Sequence, residues 1–304
     1  MKTLIVGIST AVGRRLAEEM LNLGYEILGL DTRPWPGIPK KIEITRADIR
    51  RKPAEEVFRT GCPDTVIYIA PAAGATQDYD RRYRMNLEST RAVFEYSSNY
   101  KVKQVVFVSR HMVYGAAPDT TMYCSEDDPP YGGLTFPKLN DIFTADLYAS
   151  QALWRYPDLN VILLRMVYTL GPSRRGALAR FLKGPGVPTI LGFDPLFQFM
   201  HEDDHAHAII TAMEAKLHGV YNIAGPQPLP LSALIDKAGK ISIPIPQRWY
   251  PSFLERFGYP GIFANSINHI KYSVIIDDKK FRQATGFIHQ HDENQTLKAF
   301  RYGA

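Results

Sequence analysis

From residue 2 to about residue 165, short runs rich in Val, Ile and Leu alternate with longer stretches of helical period, and this alternation leaves few folds open. Strands joined through helices run parallel, because each connection carries the chain back to the end it started from. The product is a parallel sheet with helices on both faces. The runs predict strands at 3–6, 26–30, 41–45, 65–69, 104–108 and 161–164, with helices at 11–23, 54–59, 81–100 and 138–156 between them. After Gly171 and Pro172 the texture changes: Pro and Gly recur through 184–195, 225–230 and 244–261, and only short periodic segments such as 204–215 and 232–239 remain. The expectation is an α/β chain, with a doubly wound sheet over 1–170, to which later segments can return, and a smaller, loop-rich unit over 171–304.

The first strand runs directly into Gly7, Ile8, Ser9, Thr10, Ala11, Val12 and Gly13, followed by an amphipathic helix carrying Leu16, Met20 and Leu23. A strand, a glycine turn and a helix in that order form the context of a phosphate-binding turn. Gly7 allows the tight turn and Gly13 lets the helix pack closely on the sheet. The free N–H groups of the helix N-terminus, at Ala11 and Val12, present partial positive charge to a pyrophosphate. Asp31 closes the second strand 18 residues after Gly13, near the spacing at which a carboxylate accepts ribose hydroxyls. The reading is a Rossmann-type domain that binds NAD, with NADP disfavoured because Asp31 repels a 2′-phosphate, an effect Arg33 partly offsets. Position 10 usually carries another glycine; Thr10 puts a side chain close to the pyrophosphate path, which weakens binding.

Several function classes are excluded. The longest apolar run, 160–170, is broken by Arg165 and falls short of the roughly 18 to 20 residues a membrane span needs. The opening MKTLIVG is too short and lacks the cleavage pattern of a signal peptide, so it reads as a strand. Cys62 and Cys124 are far apart and lack metal-ligand spacing, which fits a reducing cytoplasm better than a disulfide framework. The net charge of +5 is dispersed, without the basic run that marks a nucleic-acid surface. It favours small anionic or polar ligands.

Beyond the turn, the sequence resembles the extended short-chain dehydrogenase/reductase family, in its NAD-dependent epimerase/dehydratase-like branch. The resemblance rests on Gly7, Thr10 and Gly13, Asp31, Ala47 to Arg50, the 64–70 run, Asn86 with Thr90, and Val105 to Ser109 leading to Val113, Tyr114 and Gly115. It continues through Lys138, Leu164 and Arg165, Gly171 and Pro172, the 200–204 segment, Val220 to Gly225, and Thr285 to Phe287. It implies that Asp48 and Ile49 lie against adenine, that Ala70 lies against a cofactor ribose, that Asn86 braces the central helix and that Lys138 holds the nicotinamide ribose. It also implies an oxidoreductase or epimerase ancestry, and a homodimer or a partner-bound subunit docking through helices 81–100 and 138–156. There Val93, Phe94, Ile142, Phe143 and Leu147 are more apolar than a solvated face needs, unless they turn to the sheet.

The departures from this pattern concern the chemistry. The family's proton-exchanging Tyr stands four residues before the Lys, where this chain has Leu134; its substrate-orienting Ser or Thr stands five before the Gly of Val-Tyr-Gly, where this chain has Arg110. Leucine has no proton to exchange, and arginine stays charged and cannot accept a hydrogen bond. Tyr131, seven residues before Lys138, is the candidate replacement acid if the helix begins early; Gly132, Gly133 and Pro137 argue instead for a helix start near Pro137, with Thr135 close to its cap. Tyr114 is a weaker candidate. Arg110 beside a nicotinamide suits a carboxylate or phosphate, unless it swings to solvent or pairs with Asp127 or Asp128. Phe197 occupies the position where nucleotide-sugar members carry a diphosphate-binding Arg; Arg174, Arg175, Arg180 and Lys183 either replace that charge or form a solvated face.

The cluster of His201, Asp203, Asp204, His205 and His207 admits a metal reading, but the expectation is none: Asp204 caps the helix that follows and His201 packs inside. Two functions stay open. One is an NAD(P)-dependent enzyme of altered or absent chemistry, with a degenerate active site; the other is a non-catalytic dinucleotide-binding scaffold or regulatory subunit, for which Lys138 is retained for binding alone.

Overall fold

The computed structural model describes residues 1–69, 79–136, 139–250, 253, 256 and 267–303. Its first half supplies strands β1 (Lys2–Val6), β2 (Glu26–Asp31), β3 (Glu43–Arg46), β4 (Thr65–Ile69), β5 (Gln104–Arg110) and β6 (Asn160–Met166). The second half supplies β7 (Tyr168–Leu170), β8 (Gly186–Ile190), β9 (Leu196–Phe197), β10 (Phe199–His201), β11 (Gly219–Ile223), β12 (Leu229–Pro230) and β13 (Ile241–Ile245). The helices used below are α1 (Ala11–Asn22), α2 (Lys52–Gly61), α3 (Tyr79–Asn99), α4 (Gly132–Thr135), α5 (Asn140–Arg155), α6 (Ala177–Phe181) and α7 (Glu202–Glu214).

Among the described residues, seven parallel strands form the central sheet in the order β11-β6-β5-β4-β1-β2-β3. The chain winds outward from β1 through β2 and β3, then returns to β4 and winds the other way. The reversal opens a crevice between the C-terminal ends of β1 and β4, where such sheets hold ligands.

The strands read as continuous apolar runs because both faces are covered. Side chains alternate across the sheet, so Ile5, Ile67, Val106 and Ile162 pack toward α1 and α7, while Leu4, Val66, Val105 and Val161 pack toward α2, α3 and α5. Helix α1 turns Gly13, Leu16, Ala17 and Met20 inward at helical spacing.

Six of the seven strands coincide with predicted runs, although β3 starts two residues later than expected. The seventh, β11, comes from beyond residue 171, as does α7, which packs against α1. The expected helix 138–156 is α5, Asn140–Arg155, and the short α4 precedes it. Val93, Phe94, Ile142 and Phe143 lie in the chain's own core, at 0, 0, 5 and 7% exposure, so they are not an unpartnered face. The apolar side chains that α5 leaves in solvent are Leu147 and Trp154. Among the described residues, no helix is long and apolar enough to cross a membrane.

Two buried polar clusters fix the helices to the sheet. Arg82 of α3 makes a two-pronged ion pair with the fully buried Asp141 of α5, with Nε at 2.9 Å from Oδ2 and Nη2 at 3.0 Å from Oδ1. Arg165 of β6 reaches Asp146 of α5 at 2.8 Å, and Ser109 of β5 donates to the same carboxylate at 2.6 Å. Arginine suits both sites because its planar fork matches a carboxylate edge to edge.

Candidate functional site

A cleft of about 410 Å³ runs over the C-terminal edge of the sheet, from the ends of β2 and β1 past β4 to β5 and β6. The segment 174–180 and His205 of α7 complete its walls.

At its first end stands the turn after β1. Gly7 has φ +88°, and a Cβ there would come within 3.0 Å of the Ile69 carbonyl oxygen; a Cβ on Gly13 would lie only 2.5 Å from the Gly7 carbonyl oxygen. Only glycine lets α1 approach β1 this closely. Thr10 caps α1: its hydroxyl accepts from the Gly13 N–H at 2.9 Å and donates to the Gly7 carbonyl at 2.8 Å. The hydroxyl is thus engaged inside the turn, which explains how a threonine replaces glycine here. Thr10, Ala11 and Val12 line the cleft, and the first N–H groups of a helix have no acceptor within it.

Asp31 is 7% exposed. Its Oδ2 accepts from the Ser9 N–H at 3.0 Å and its Oδ1 from the Arg33 N–H at 2.9 Å, while the Arg33 guanidinium lies on both oxygens at 3.2 Å. The Arg33 side chain is 60% exposed, so a ligand hydroxyl can displace it from the carboxylate. Asp48 and Ile49 stand outside the cleft lining. The Asp48 carboxylate is held below its ordinary pKa chiefly by hydrogen bonds from Arg50, and Ile49 is buried in the core. Asn86 donates to Asp141 at 2.6 Å and ties α3 to α5. Ala70 and Lys138 lie outside the described residues.

The other end of the cleft holds Arg110, at the close of β5. Burial lowers its pKa, opposed first by the nearby Asp141 and then by Tyr168; arginine begins so high that it remains a cation at neutral pH. The carboxylate acting most on it is therefore Asp141. Asp128, one of the two partners expected from sequence, instead accepts from the N–H and hydroxyl of Ser125. Arg110 lines the cleft and does not turn to bulk solvent.

Leu134 is 80% exposed and Tyr131 57% exposed, and neither lines the cleft. Tyr114 is buried, donates to Asn222 at 2.7 Å and accepts from Arg165 at 3.0 Å; burial pushes its pKa up to about 12. It is part of the Arg165 cluster.

The histidines divide differently from expectation. His201, not Asp204, caps α7, its Nδ1 accepting from the Asp203 N–H at 3.2 Å. Asp204 is fully buried and accepts from the N–H groups of Gln290 and His291 at 2.7 and 3.1 Å, which pins the C-terminal segment to α7. His201, Asp203 and His291 hold ligand-type atoms within 4.8 Å of one another, but Asp203 is already paired with Arg15 at 2.5 Å.

His205 faces the cleft. Its Nδ1 lies 2.5 Å from the Thr169 hydroxyl, and its buried Nε2 has no hydrogen-bond partner. Burial, reinforced by Arg110, pulls its pKa down to about 3, so it is neutral at working pH. His111 sits beside it in the wall, with Nδ1 3.2 Å from the Met166 carbonyl oxygen and a pKa that burial lowers to about 4. Behind the wall, the Tyr168 hydroxyl is hydrogen-bonded to His269 Nε2. Sequence reasoning missed His111, Tyr168 and His269. None of them stands in a recognisable motif, and only the fold brings them together.

Among the described residues lining the cleft are five arginines, Arg33, Arg110, Arg174, Arg175 and Arg180, and no carboxylate. Asp31, just behind the wall, neutralises Arg33. The cavity as a whole is cationic and able to hold more than one anionic group.

Residues 3–224 match the family model described as the NAD dependent epimerase/dehydratase family. An uncharacterized protein of Mycobacterium tuberculosis is 31% identical over 255 residues, covering 81% of this chain and 67% of that one. The UDP-glucose 4-epimerase of Bacillus subtilis is 31% identical over 178 residues, about half of each chain (51% and 52%). In structure, the chain is similar to the UDP-glucose 4-epimerase of Thermotoga maritima solved with UDP-glucose, with a TM-score of 0.79 at 18% identity, covering 100% of this chain and 98% of that one. It is likewise similar to the Thermus thermophilus UDP-glucose 4-epimerase solved with NAD, with a TM-score of 0.78 at 21% identity and the same coverage. At these identities the structural likeness is one of fold.

Proposed function

Because the chain belongs to the NAD dependent epimerase/dehydratase family, we propose that it binds NAD(H) along the C-terminal edge of its sheet and has departed from tyrosine-dependent proton transfer. The residues present fit the dinucleotide. A Cβ would fill the space at Gly13, Ala11 and Val12 line the cleft at the first turn of α1, where backbone N–H groups lack helical acceptors, and Asp31 offers its carboxylate to ribose hydroxyls once Arg33 moves aside. Asp48, Ile49, Ala70 and Asn86 are proposed to support the adenosine half and the helix beneath it, and Lys138 the nicotinamide ribose. The bound cofactor supplies a hydride acceptor or donor.

The observation that carries the departure is the pair of replaced positions. Arg110 lies inside the cleft where a hydroxyl would orient substrate, while Leu134 is 80% exposed and the nearby Tyr131 stands outside the lining. The chain's own residues at this end bind and orient an anion without exchanging a proton through a tyrosine beside Lys138. Arg110 is suited to stabilise a developing oxyanion as a fixed charge.

A second reading, a non-catalytic dinucleotide-binding scaffold or subunit of a complex, is favoured by the same exposed Leu134. Residues 1–170 with β11 and α7 form the proposed dinucleotide unit, and the rest of 171–304 the substrate or lid unit. Helices α3 and α5, with Leu147 and Trp154 exposed, are the proposed dimer or partner face. Cys62 and Cys124 are both free thiols, which agrees with a cytoplasmic setting.

Denaturing the purified protein and identifying the released ligand by mass spectrometry, with calorimetric titration of NAD and NADP, tests the proposal. NAD is expected. Preferential NADP binding, or binding of neither, would remove it; rapid turnover that depends on Tyr131 would remove the departure.

A further inference from the structure

The segment between β7 and α6 is fixed at several points before it reaches the cleft. Ser173 donates its N–H to Glu202 of α7 at 2.7 Å, and a Cβ on Gly171 would lie 2.4 Å from the same side chain. Helix α7 packs on α1, so the segment is tied through α7 to the helix that opens the cofactor end. Arg174 has φ +52°, in the left-handed region that a side chain enters at a cost. Its guanidinium offsets that cost by donating from Nε to the Phe300 carbonyl at 2.9 Å and from Nη2 to the Arg301 carbonyl at 2.7 Å. Both acceptors lie at the end of the C-terminal helix, Glu293–Tyr302, whose last carbonyls have no partner within the helix.

Arg175 is left differently. It lines the cleft and is exposed, and among the described residues its guanidinium has no hydrogen bond or ion pair. It stands toward the α1 end: burial lowers the pKa of Arg14, in the first turn of α1, and the charge of Arg175 lowers it further, ahead of that of Arg33. Arg14 is itself engaged, donating from Nε to the Ser9 carbonyl at 3.2 Å and lying over the Trp35 ring, while Arg33 lies on Asp31. Three cations thus gather about one buried carboxylate, which already accepts from two N–H groups as well as from Arg33. Glu18, also on α1, bears on Arg14 less than Asp31 does. An excess of like charge around one end of a cavity is relieved by an anion that enters there.

On the cofactor reading above, we infer that Arg175 is a cofactor-binding residue that pairs with the pyrophosphate received by the first turn of α1. Its planar fork matches phosphate oxygens, and it adds a full charge to the partial one at the helix N-terminus. Arg174 is its positioning residue, because the anchor on the C-terminal helix fixes the backbone that presents Arg175. The unit beyond residue 171 therefore supplies part of the dinucleotide site as well as the substrate or lid wall.

The test is calorimetric titration of the full chain with NAD and with ADP-ribose, which keeps the pyrophosphate and lacks the nicotinamide. Arg175→Gln should weaken both by about tenfold or more, since hydrogen bonds to charged groups are among the stronger ones, and Arg175→Lys should weaken them less, keeping the charge and losing the fork. Lys183→Gln removes an exposed charge from the same stretch, outside the lining, and should change either affinity by less than about twofold. Arg174→Ala should also weaken NAD binding, but should add little on top of Arg175→Gln; a loss that simply adds in the double variant overturns the positioning role. Urea unfolding of Arg175→Gln should match wild type, because the side chain is exposed, which separates lost binding from misfolding. NAD affinity equal in wild type and Arg175→Gln, or a loss seen with NAD and not with ADP-ribose, overturns the assignment of Arg175 and leaves the cofactor reading in place. A wild type that binds neither ligand removes both.

Discussion

Replacing Gly13 by alanine tests the contact on which the cofactor end of the cleft depends. The new Cβ would lie 2.5 Å from the Gly7 carbonyl oxygen and 2.8 Å from both the Cα and the carbonyl oxygen of Ile8. All three are backbone atoms of the turn, so no side chain can rotate away. Ordinary carbon contact begins roughly 0.9 Å farther out than the shortest of these distances, so α1 must lift from β1 by about that amount. Overpacking of this kind costs about 1–3 kcal/mol, and the buried Leu16, Ala17 and Met20 move with the helix, which argues for the upper part of that range. The same shift carries the Ala11 and Val12 N–H groups off their line to a pyrophosphate, so NAD affinity should fall by about tenfold or more. Equilibrium urea unfolding and calorimetric titration of NAD measure the two effects. Thr10→Ala provides the contrast: loss of the cap costs about 1 kcal/mol without moving the helix, and NAD affinity should change little. A Gly13→Ala protein with wild-type stability and wild-type NAD affinity would show that the close approach is not what shapes the cofactor end.

Other expectations follow from the same structure. NAD should bind more tightly than NADP, and Asp31→Ala should narrow or reverse the difference by leaving Arg33 free to meet a 2′-phosphate; calorimetry with both cofactors decides it. Tyr131→Phe should leave any turnover unchanged, since Tyr131 lies outside the lining, and Arg110→Ser/Leu134→Tyr should not recover the roughly 10²- to 10⁴-fold of general acid–base help, since position 134 is also exposed and outside the lining; a gain of activity on a panel of sugars and hydroxy acids in the double variant would show that the 131–134 segment closes on the cleft. Asp146→Asn leaves the Arg165 charge buried and uncompensated and should lower stability by about 3–5 kcal/mol in denaturant unfolding. His111, His205 and His269 have pKa values that burial lowers to about 4, 3 and 3, below the ordinary 6.5, so the unfolded chain binds more protons than the folded one below that value. Stability is thus fully present above about pH 6.5 and lost as the pH falls toward 4, and a thermal melt series should show a shallower decline for His111→Gln. Light scattering should report a dimer or larger species that Leu147→Glu/Trp154→Glu converts to monomer; a monomer in wild type would remove the α3–α5 interface.

The parts of the fold legible in the sequence are those held by local pattern. Gly7, Gly13 and the spacing of Leu16 and Met20 announce β1, its turn and α1 without help from the rest of the chain. β11 was hidden because Val220 to Ile223 is a short run amid prolines and glycines, and its strand character comes from pairing with β6, nearly sixty residues earlier. The same holds at the site. Arg110 was readable as a departure because it interrupts a motif. The partners that define its surroundings, Asp141, Arg180 and His205, stand on three other elements and meet it only when the sheet and helices assemble. His201 packs inside as expected, but it also takes the capping role expected of Asp204: a histidine acting as an N-cap acceptor is uncommon, and nothing in the local sequence shows that residues 290 and 291 come to Asp204.

The position of β11 also bears on how the protein can be made. During synthesis, when residue 170 has left the ribosome, six strands of the sheet exist but β6 has one unpaired edge with buried-type residues, Val161 to Leu164, on both faces. That edge stays open until translation has passed residue 223 and the intervening segment has folded back or looped out. An open parallel edge is the surface on which chains join wrongly, so a fragment ending near residue 170 should aggregate where one ending after residue 225 does not. The apparent boundary at Gly171 and Pro172 is therefore a poor place to cut this chain, because the first unit lacks its last strand there.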